Sequence, residues 1–475
     1  MHRLKLITLT LLAALGGAAG AQPITLQQAI ASALEHNPDL RLSQLGVEGA
    51  AAQQTIAGAA PNPTLTLQSF NINPNAGVGA GGLRSKTVDS AVRVDQLIER
   101  GGKRELRVEN AAKLAAASGS DLRETRRQVR LLVSQAYYDL LAADGKLAIT
   151  RESAQLFDRT VEAARKRQHA GDLAPADVAR AQVDALRARN DVLQAESDLF
   201  VARQTLALLI GEPANAAQLT ALDYWPDVPA AVTDNVASDA VNASAVNTNA
   251  SSIGAADAAN GAYAGSSGAN ASGVNVGRVT AGILNDGDAD GMLSRRPDVL
   301  AAQARFDAAQ AARKLALAAR SADITVGLQF EHYPTSITNT QGSGNSFGIA
   351  LQIPLFVRYG YDGEIRAADV ALDTARENMH QARVQARSEL ELSEERVRSA
   401  ADKLRRYEGG GDSIIGAAKK SADAAEFAFQ RGALAIMDLL DVRRTYRAAQ
   451  LEALAARADY AKSLAALQAA TSEGK

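Results

Sequence analysis

Asp438 and Asp441 are the residues of this chain whose type and spacing best fit a chemical role. They lie three residues apart in a segment with helical periodicity, so both carboxylates fall on one face of the helix. Paired carboxylates attract cations when they line a passage. The alternative is an ordinary solvated acidic face, and the spacing alone leaves both interpretations open.

Other kinds of chemistry have little support in the sequence. The chain has 475 residues, no cysteine and a formal net charge of −2, which excludes disulfides and thiolate metal sites and favours no nucleic-acid partner. It also has no phosphate-binding loop and no Ser/His/Asp arrangement, so we expect neither enzyme activity nor a cofactor. We expect no built-in metal site either, because the five histidines show no ligand spacing: His2, His36, His169, His332 and His380.

The first 21 residues have the pattern of a secretory signal peptide. A basic start precedes an apolar run from Leu4 to Leu15, and small residues end at Ala21. The alternative is a membrane anchor, but the apolar run is too short to span a bilayer. We therefore predict cleavage after Ala21 and export of the mature chain.

A duplicated unit positions the acidic residues. Near Gly171 the chain reads HAGDLAPADVARAQ, and near Gly432 it reads QRGALAIMDLLDVRR, with Asp177 in the place of Asp438. Each motif lies between two long Ala-rich helical segments that follow a pair of short strands, which indicates an internal repeat. We predict a first repeat over 22–213 with its tip at 171 and a second repeat over 291–475 with its tip at 432. Between them, 214–290 is predicted to be a low-complexity linker or equatorial segment, mostly disordered after the short piece that contains Trp225.

The predicted strands alternate between an apolar face and a face of small and polar residues. They span about 64–72, 87–97, 323–332 and 346–356. This alternation is typical of membrane strands, although a half-buried soluble sheet alternates in the same way. Four strands cannot close a membrane barrel, which needs about eight, so a membrane sheet requires several copies of the chain. Three chains of four strands, related by cyclic symmetry, would provide twelve.

Several motifs, taken in their order, make the sequence resemble the TolC-like family of outer-membrane efflux proteins. HNPDL and RRPDV open the two repeats, PNPTL enters the first strand, IPLF leaves the fourth, and the two tips match in spacing. QLIERGGKRELR is most similar to the heavy-metal, CzcC-type branch. The resemblance implies an α+β membrane protein of the cell outer membrane: a trimeric, 12-stranded β-barrel continued by a long α-helical barrel in the periplasm.

The same resemblance implies a passive exit channel of a tripartite efflux system that exports heavy-metal cations. Its partners would be two further copies in a homotrimer, outer-membrane lipid, a periplasmic adaptor and a proton-driven inner-membrane pump. Multidrug efflux and type I protein secretion are alternatives within the family. The alternative of another class is a soluble periplasmic coiled-coil adaptor, but adaptors have one helical hairpin where this chain has two.

The resemblance also implies roles for individual residues. Asp438 and Asp441 match acidic residues that ring the periplasmic gate in the family, and Asp177 matches a residue that links the first tip to a neighbouring helix. An arginine of that network has no match, because Leu434 stands in its place, which leaves Arg431 or Arg443 as substitutes. The expected adaptor-docking tips, although turn chemistry also explains their glycines, are Gly171, Leu173, Gly432 and Leu434.

Overall fold

The structure, a computed structural model, describes residues 22–70, 72, 88–228, 286–335, 342–410 and 413–472. The expected signal peptide lies outside the described residues, as do positions 229–285 of the expected linker. Among the helices that are described, none is long and apolar enough to cross a membrane.

The first repeat combines two long helices with the first strand pair. The spacing of Thr25 and Gln28 predicts a capping box at its first helix. The structure confirms it, because the Thr25 hydroxyl accepts from the N–H of Gln28 and the Gln28 side chain accepts from the N–H of Thr25. Its elements are β1 (Gln22–Ile24), α1 (Leu26–His36), α2 (Pro38–Gly58), β2 (Thr64–Phe70), β3 (Asp89–Ile98), α3 (Lys103–His169), α4 (Pro175–Leu209), a 3-10 helix (Pro213–Gln218) and β4 (Leu219–Ala221).

The second repeat again combines a strand pair with a helical hairpin. The three glycines at 409–411 predict a loosened point in the long helix before Gly432, and the structure has two separate helices there, because Gly410 adopts φ +90° and Ser413 caps a new helix. The strand expected over 346–356 ends at Gln352, because Pro354 has no N–H to donate to a ladder. The elements are α5 (Asp286–Leu293), α6 (Pro297–Ala318), β5 (Ile324–Tyr333), β6 (Gly344–Gln352), α7 (Asp362–Glu408), α8 (Ile414–Gln430) and α9 (Ile436–Thr471).

The strand pairs of the two repeats form one antiparallel sheet with the order β2-β3-β5-β6. Its registers confirm the predicted alternation, because apolar residues form continuous rows across all four strands. Leu65 and Ile349, at opposite ends of one row, are 64% and 82% exposed, so the apolar face is open. One apolar row is Leu65, Val94, Leu328 and Ile349, and one row of the opposite face is Thr66, Arg93, Gln329 and Gly348.

The chain divides into two compact units. The helical unit contains residues 1–38, 127–289 and 389–472, and the strand unit contains 39–126, 290–388 and 473–475. Alanine fills much of the interior of the helical unit. Ala181, Ala188 and Ala195, spaced seven residues apart on α4, are at most 1% exposed, and such small side chains allow helices to approach closely.

A second, parallel sheet lies in the helical unit, where β1 pairs with β4 inside the expected linker. The Tyr137 hydroxyl of α3 joins the end of β1 to the two residues that follow β4. It donates to the carbonyl of Ile24 at 3.1 Å and accepts from the N–H groups of Leu222 at 3.1 Å and Asp223 at 3.0 Å. Burial raises the pKa of Tyr137 to about 12, so the hydroxyl keeps its proton at neutral pH.

Tyr137→Phe should lower the thermal unfolding midpoint of the protein in detergent. The substitution leaves the N–H of Asp223 without its partner, which costs about 1–3 kcal/mol, whereas the N–H of Leu222 still donates to the carbonyl of Ile24 at 3.1 Å. Circular dichroism during heating measures the effect. Tyr138→Phe is the matched control, because it removes the same atom from a ring that stacks on Trp225. Equal midpoints for the two variants would show that the Tyr137 hydroxyl does not stabilise the protein at the β1–β4 pairing.

Candidate functional site

The first helical hairpin turns at Gly171, which adopts φ +88°. The N–H of Gly171 donates to the carbonyl of Gln168 at 3.0 Å, and the N–H of Asp172 donates to the carbonyl of Arg167 at 2.9 Å. These bonds satisfy the last carbonyls of α3 in a Schellman motif, which places a left-handed residue at the glycine. Helix α4 then begins at Pro175, whose fixed φ suits the first helical position.

The second hairpin turns with the same geometry at Gly432, which adopts φ +75°. Its N–H donates to the carbonyl of Phe429 at 3.0 Å, and the N–H of Ala433 donates to the carbonyl of Ala428 at 2.9 Å. A Cβ at Gly171 or Gly432 would meet no atom within 4 Å. Backbone conformation rather than crowding therefore requires glycine, and both turns present an open surface.

The leucine two residues after each glycine packs inward. Leu173 and Leu434 are partly buried against the same hydrophobic cluster, so the structure brings the two expected docking leucines together on one core. Each leucine packs against residues of its own chain, and part of each leucine remains exposed. Prominent members of the cluster, drawn from both hairpins, are Phe157, Val161, Val178, Phe429, Leu439 and Leu440.

Asp177 and Asp438 lie in the first turns of the helices that follow the tips, and Asp441 lies one turn further along α9. Asp177 and Asp438 are each the third residue of their helix, where the helix dipole favours a carboxylate. Asp177 is 32% exposed and pairs loosely with Arg180 on its own helix, at 3.9 Å. Asp438 is exposed, and Asp441 is 78% exposed, so α9 presents both carboxylates on its outer face.

Arg443 cross-links the two hairpins inside the helical unit. Its guanidinium is 12% exposed and donates to the carbonyl of Leu156 in α3 at 3.0 Å. It also contacts the Thr160 hydroxyl of α3 and the Glu426 carboxylate of α8. One side chain of α9 therefore ties together three helices.

Two further arginines of α9 join α4 through ion pairs, Arg444 with Asp184 and Arg447 with Asp191. The Asp184 side chain is only 7% exposed, so the contact with Arg444 offsets the loss of its hydration. The sequence reading missed these pairs. Asp177, Asp184 and Asp191 recur every seven residues, and this spacing was the signal that could have revealed a shared helix face.

The two arginines expected as substitutes at the second tip differ in reach. Arg431 lies over the ring of Phe427 at 4.2 Å, within its own hairpin, whereas Arg443 reaches the other hairpin. Arg167, which the sequence reading also missed, donates to the carbonyl of Phe429 at 2.8 Å and lies 4.3 Å from its ring centre. The two tips are thus held together by arginines from both repeats.

Within the described ranges, no three His, Cys, Asp or Glu side chains are close enough to hold a metal ion. The tips instead carry exposed carboxylates next to the hydrophobic cluster, and arginine contacts join the helices that form this cluster. The architecture is therefore two matched helical hairpins, each continuous in sequence with a pair of strands from the sheet whose apolar face is exposed.

A family model described as outer membrane efflux protein matches residues 29–212 and 290–473. The chain therefore belongs to the outer membrane efflux protein family, which confirms the resemblance found in its motifs. It is an outer-membrane protein whose helices extend into the periplasm. The family consists of channels and not of enzymes.

The cobalt-zinc-cadmium resistance protein CzcC of Cupriavidus metallidurans is a curated relative. It is 26% identical over 212 residues, which are 44% of this chain and 48% of CzcC. The chain therefore matches about half the length of that relative.

Solved structures of similar fold cover almost the whole chain. A CusC crystal structure superposes with a TM-score of 0.67 at 18% identity, covering 96% of this chain and 95% of CusC. VceC from Vibrio cholerae gives 0.66 at 18% identity, with 94% and 96% covered. The open-state channel MtrE of Neisseria gonorrhoeae gives 0.64 at 18% identity, with 94% and 88% covered. At these identities the likeness establishes the fold.

Arg444→Gln should loosen the tips, because it leaves the buried Asp184 carboxylate without its close partner at a cost of about 1–3 kcal/mol. Hydrogen–deuterium exchange should become faster in peptides from the first turns of α4 and α9. The double variant Asp184→Asn with Arg444→Gln should recover protection, because no buried charge remains.

Arg180→Gln is the control, because Arg180 is 67% exposed and its ion pair is long, so exchange should barely change. If the Arg444→Gln protein exchanged no faster than the Arg180→Gln protein, the ion pair between Arg444 and Asp184 would not stabilise the tips.

Proposed function

We propose that the protein is the passive outer-membrane exit channel of a tripartite exporter for heavy-metal cations. It works as a homotrimer, with a periplasmic adaptor and a proton-driven inner-membrane pump. The observation that carries this proposal is the four-stranded sheet with one continuous, exposed apolar face. Lipid is the solvent that such a face requires, because water would penalise this much exposed apolar surface.

The edges of the sheet support the trimer. Within the described part of the chain, β2 and β6 each pair on one side only. Backbone groups on an open edge have no partner in lipid, so the sheet must close through other copies. Three chains of four strands form a twelve-stranded barrel, which lies within the size range of membrane barrels.

Two observations support heavy-metal cations as the exported substrate, namely the name of a relative and the negative charge near the tips. The relative CzcC is named for resistance to cobalt, zinc and cadmium. In a trimer, Asp438 and Asp441 form two rings of carboxylates at the periplasmic gate, and such rings attract cations. Asp177 adds a further carboxylate at the same level of the first hairpin.

The tips supply the docking surface for the adaptor. Gly171 and Gly432 leave their turns open, and Leu173 and Leu434 expose part of their apolar surface beside them. The duplication gives each trimer six similar turns, two from each chain, so an adaptor can bind the same structure repeatedly around the axis.

Asp438→Ala combined with Asp441→Ala should reduce cation selectivity of the channel in a planar lipid bilayer. Removing two carboxylates from each chain lowers the negative potential at the gate, so the reversal potential in a salt gradient moves toward zero. Asp423→Ala is the control, because it removes an exposed carboxylate from α8 of the same hairpin. Unchanged single-channel selectivity in the double variant would refute the role of this pair.

A strain without the gene should become sensitive to zinc, cobalt or cadmium salts, and the wild-type gene should restore growth. Leu173→Glu with Leu434→Glu should fail to restore it, because a charge at each tip disrupts apolar docking. Chemical cross-linking to the adaptor checks that binding, rather than trimer formation, is lost.

Nickel, copper and silver salts and a drug panel are tested beside these metals. Sensitivity to drugs alone would remove the metal assignment and favour multidrug efflux. Recovery of the protein from the soluble periplasm, rather than from the detergent-extracted outer membrane, would exclude the channel itself.

A further inference from the structure

The segment between β6 and α7, residues 353–361, is called here the exit segment. Three of its apolar side chains face solvent: Ile353 is 43% exposed, Leu355 is 78% and Val357 is 84%. They continue the open apolar face of β6, where Phe347 is 83% exposed and Ile349 is 82%. Apolar exposure therefore extends past the end of the strand at Gln352.

Polar contacts fix the C-terminal end of the exit segment. Arg320 donates from Nε to the carbonyl of Gly360 at 3.1 Å and from its terminal nitrogen to Asp362 at 2.6 Å. The Tyr359 hydroxyl donates to Glu364 at 2.6 Å and accepts from the N–H of Gly363 at 2.9 Å. The exposed apolar side chains are thus held on an anchored backbone.

Tyr361 adds a second constraint, because it adopts φ +62°, a left-handed conformation that side chains other than glycine rarely take. Its ring meets Phe356 edge to face at 5.2 Å and Tyr359 at 6.1 Å. Three aromatic rings therefore cluster beside the exposed Leu355 and Val357.

We propose that the exit segment binds phospholipid at the periplasmic leaflet of the outer membrane, with Leu355 and Val357 among the upper acyl chains. The proposal rests on the proposed function, because it takes the sheet as membrane-embedded. The segment joins the sheet to α7, one of the periplasmic helices, so it lies at the periplasmic end of the sheet.

Three features favour lipid over a second copy of the chain as the occupant. The apolar side chains extend the face that lipid covers. Aromatic rings with polar hydroxyls are enriched where a membrane meets water. The exposed Arg358 beside them complements phospholipid phosphates.

Depth-dependent fluorescence quenching tests the proposal in the full-length trimer. The chain has no cysteine, so Leu355→Cys and Val357→Cys each give one labelling site for bimane. The proteins are placed in vesicles of phosphatidylethanolamine and phosphatidylglycerol that carry a nitroxide either near the head group or near the acyl-chain end. Ile349→Cys, in the middle of β6, is the embedded reference, and Glu377→Cys, exposed on α7, is the aqueous control.

Probes at 355 and 357 should lose about half of their fluorescence with the shallow nitroxide and less with the deep one. The probe at 349 should be quenched by the deep nitroxide, and the probe at 377 by neither. Quenching at 349 with none at 355 or 357 would overturn lipid binding and indicate a second copy over the segment, while leaving the membrane sheet intact. No quenching at 349 either would overturn the proposed membrane location itself. The two labelled sites serve as independent readings if one substitution disturbs folding.

Discussion

Close packing of helices through alanine is the constraint on which the helical unit depends. Ala181, Ala188 and Ala195 on α4 and Ala453 and Ala456 on α9 are at most 2% exposed. Rows of alanine bring helices together but bury little apolar area per residue, and a slide of one heptad places alanine on alanine again. Ion pairs between helices add to the stability of the observed alignment: Lys146–Asp198 at 2.7 Å, Arg189–Asp158 at 2.9 Å, Arg444–Asp184 and Arg447–Asp191.

The two repeats have diverged from similar hairpins into complementary ones. Both keep the same glycine turn, because α3 and α8 end with the same unsatisfied carbonyls. After the turns the two repeats differ in their side chains. Helix α4 carries aspartates that face α9, and α9 carries the arginines that pair with them. In two identical copies, Val183 and Leu186 would stand in the places of Arg444 and Arg447, so neither ion pair would form. Asp441 stands where the first repeat has Arg180, so the exposed acidic pair also belongs to one copy only.

The sequence predicted features that depend on neighbours along the chain. The Thr25 cap, the turns at Gly171 and Gly432 and the alternation of the strands all follow from local spacing. It failed where the partner lies far away. The three-residue β1 has no periodicity to detect, and β4 lies in a segment whose composition suggested disorder. The groups that Arg443 contacts lie on two other helices, so no spacing of residues within α9 predicts these contacts. Pro354 was visible, but the apolar run around it concealed the strand end.

The parallel pairing of β1 with β4 has a consequence for biogenesis. The groups that form this contact are those of Ile24, Tyr137, Leu222 and Asp223, and all of them precede the second repeat in the chain. A chain that is made and exported from its N-terminus can therefore close this contact while the second repeat is still being translated. The earlier part of the chain can then stay folded around this contact, and the four-stranded sheet forms when β5 pairs with β3.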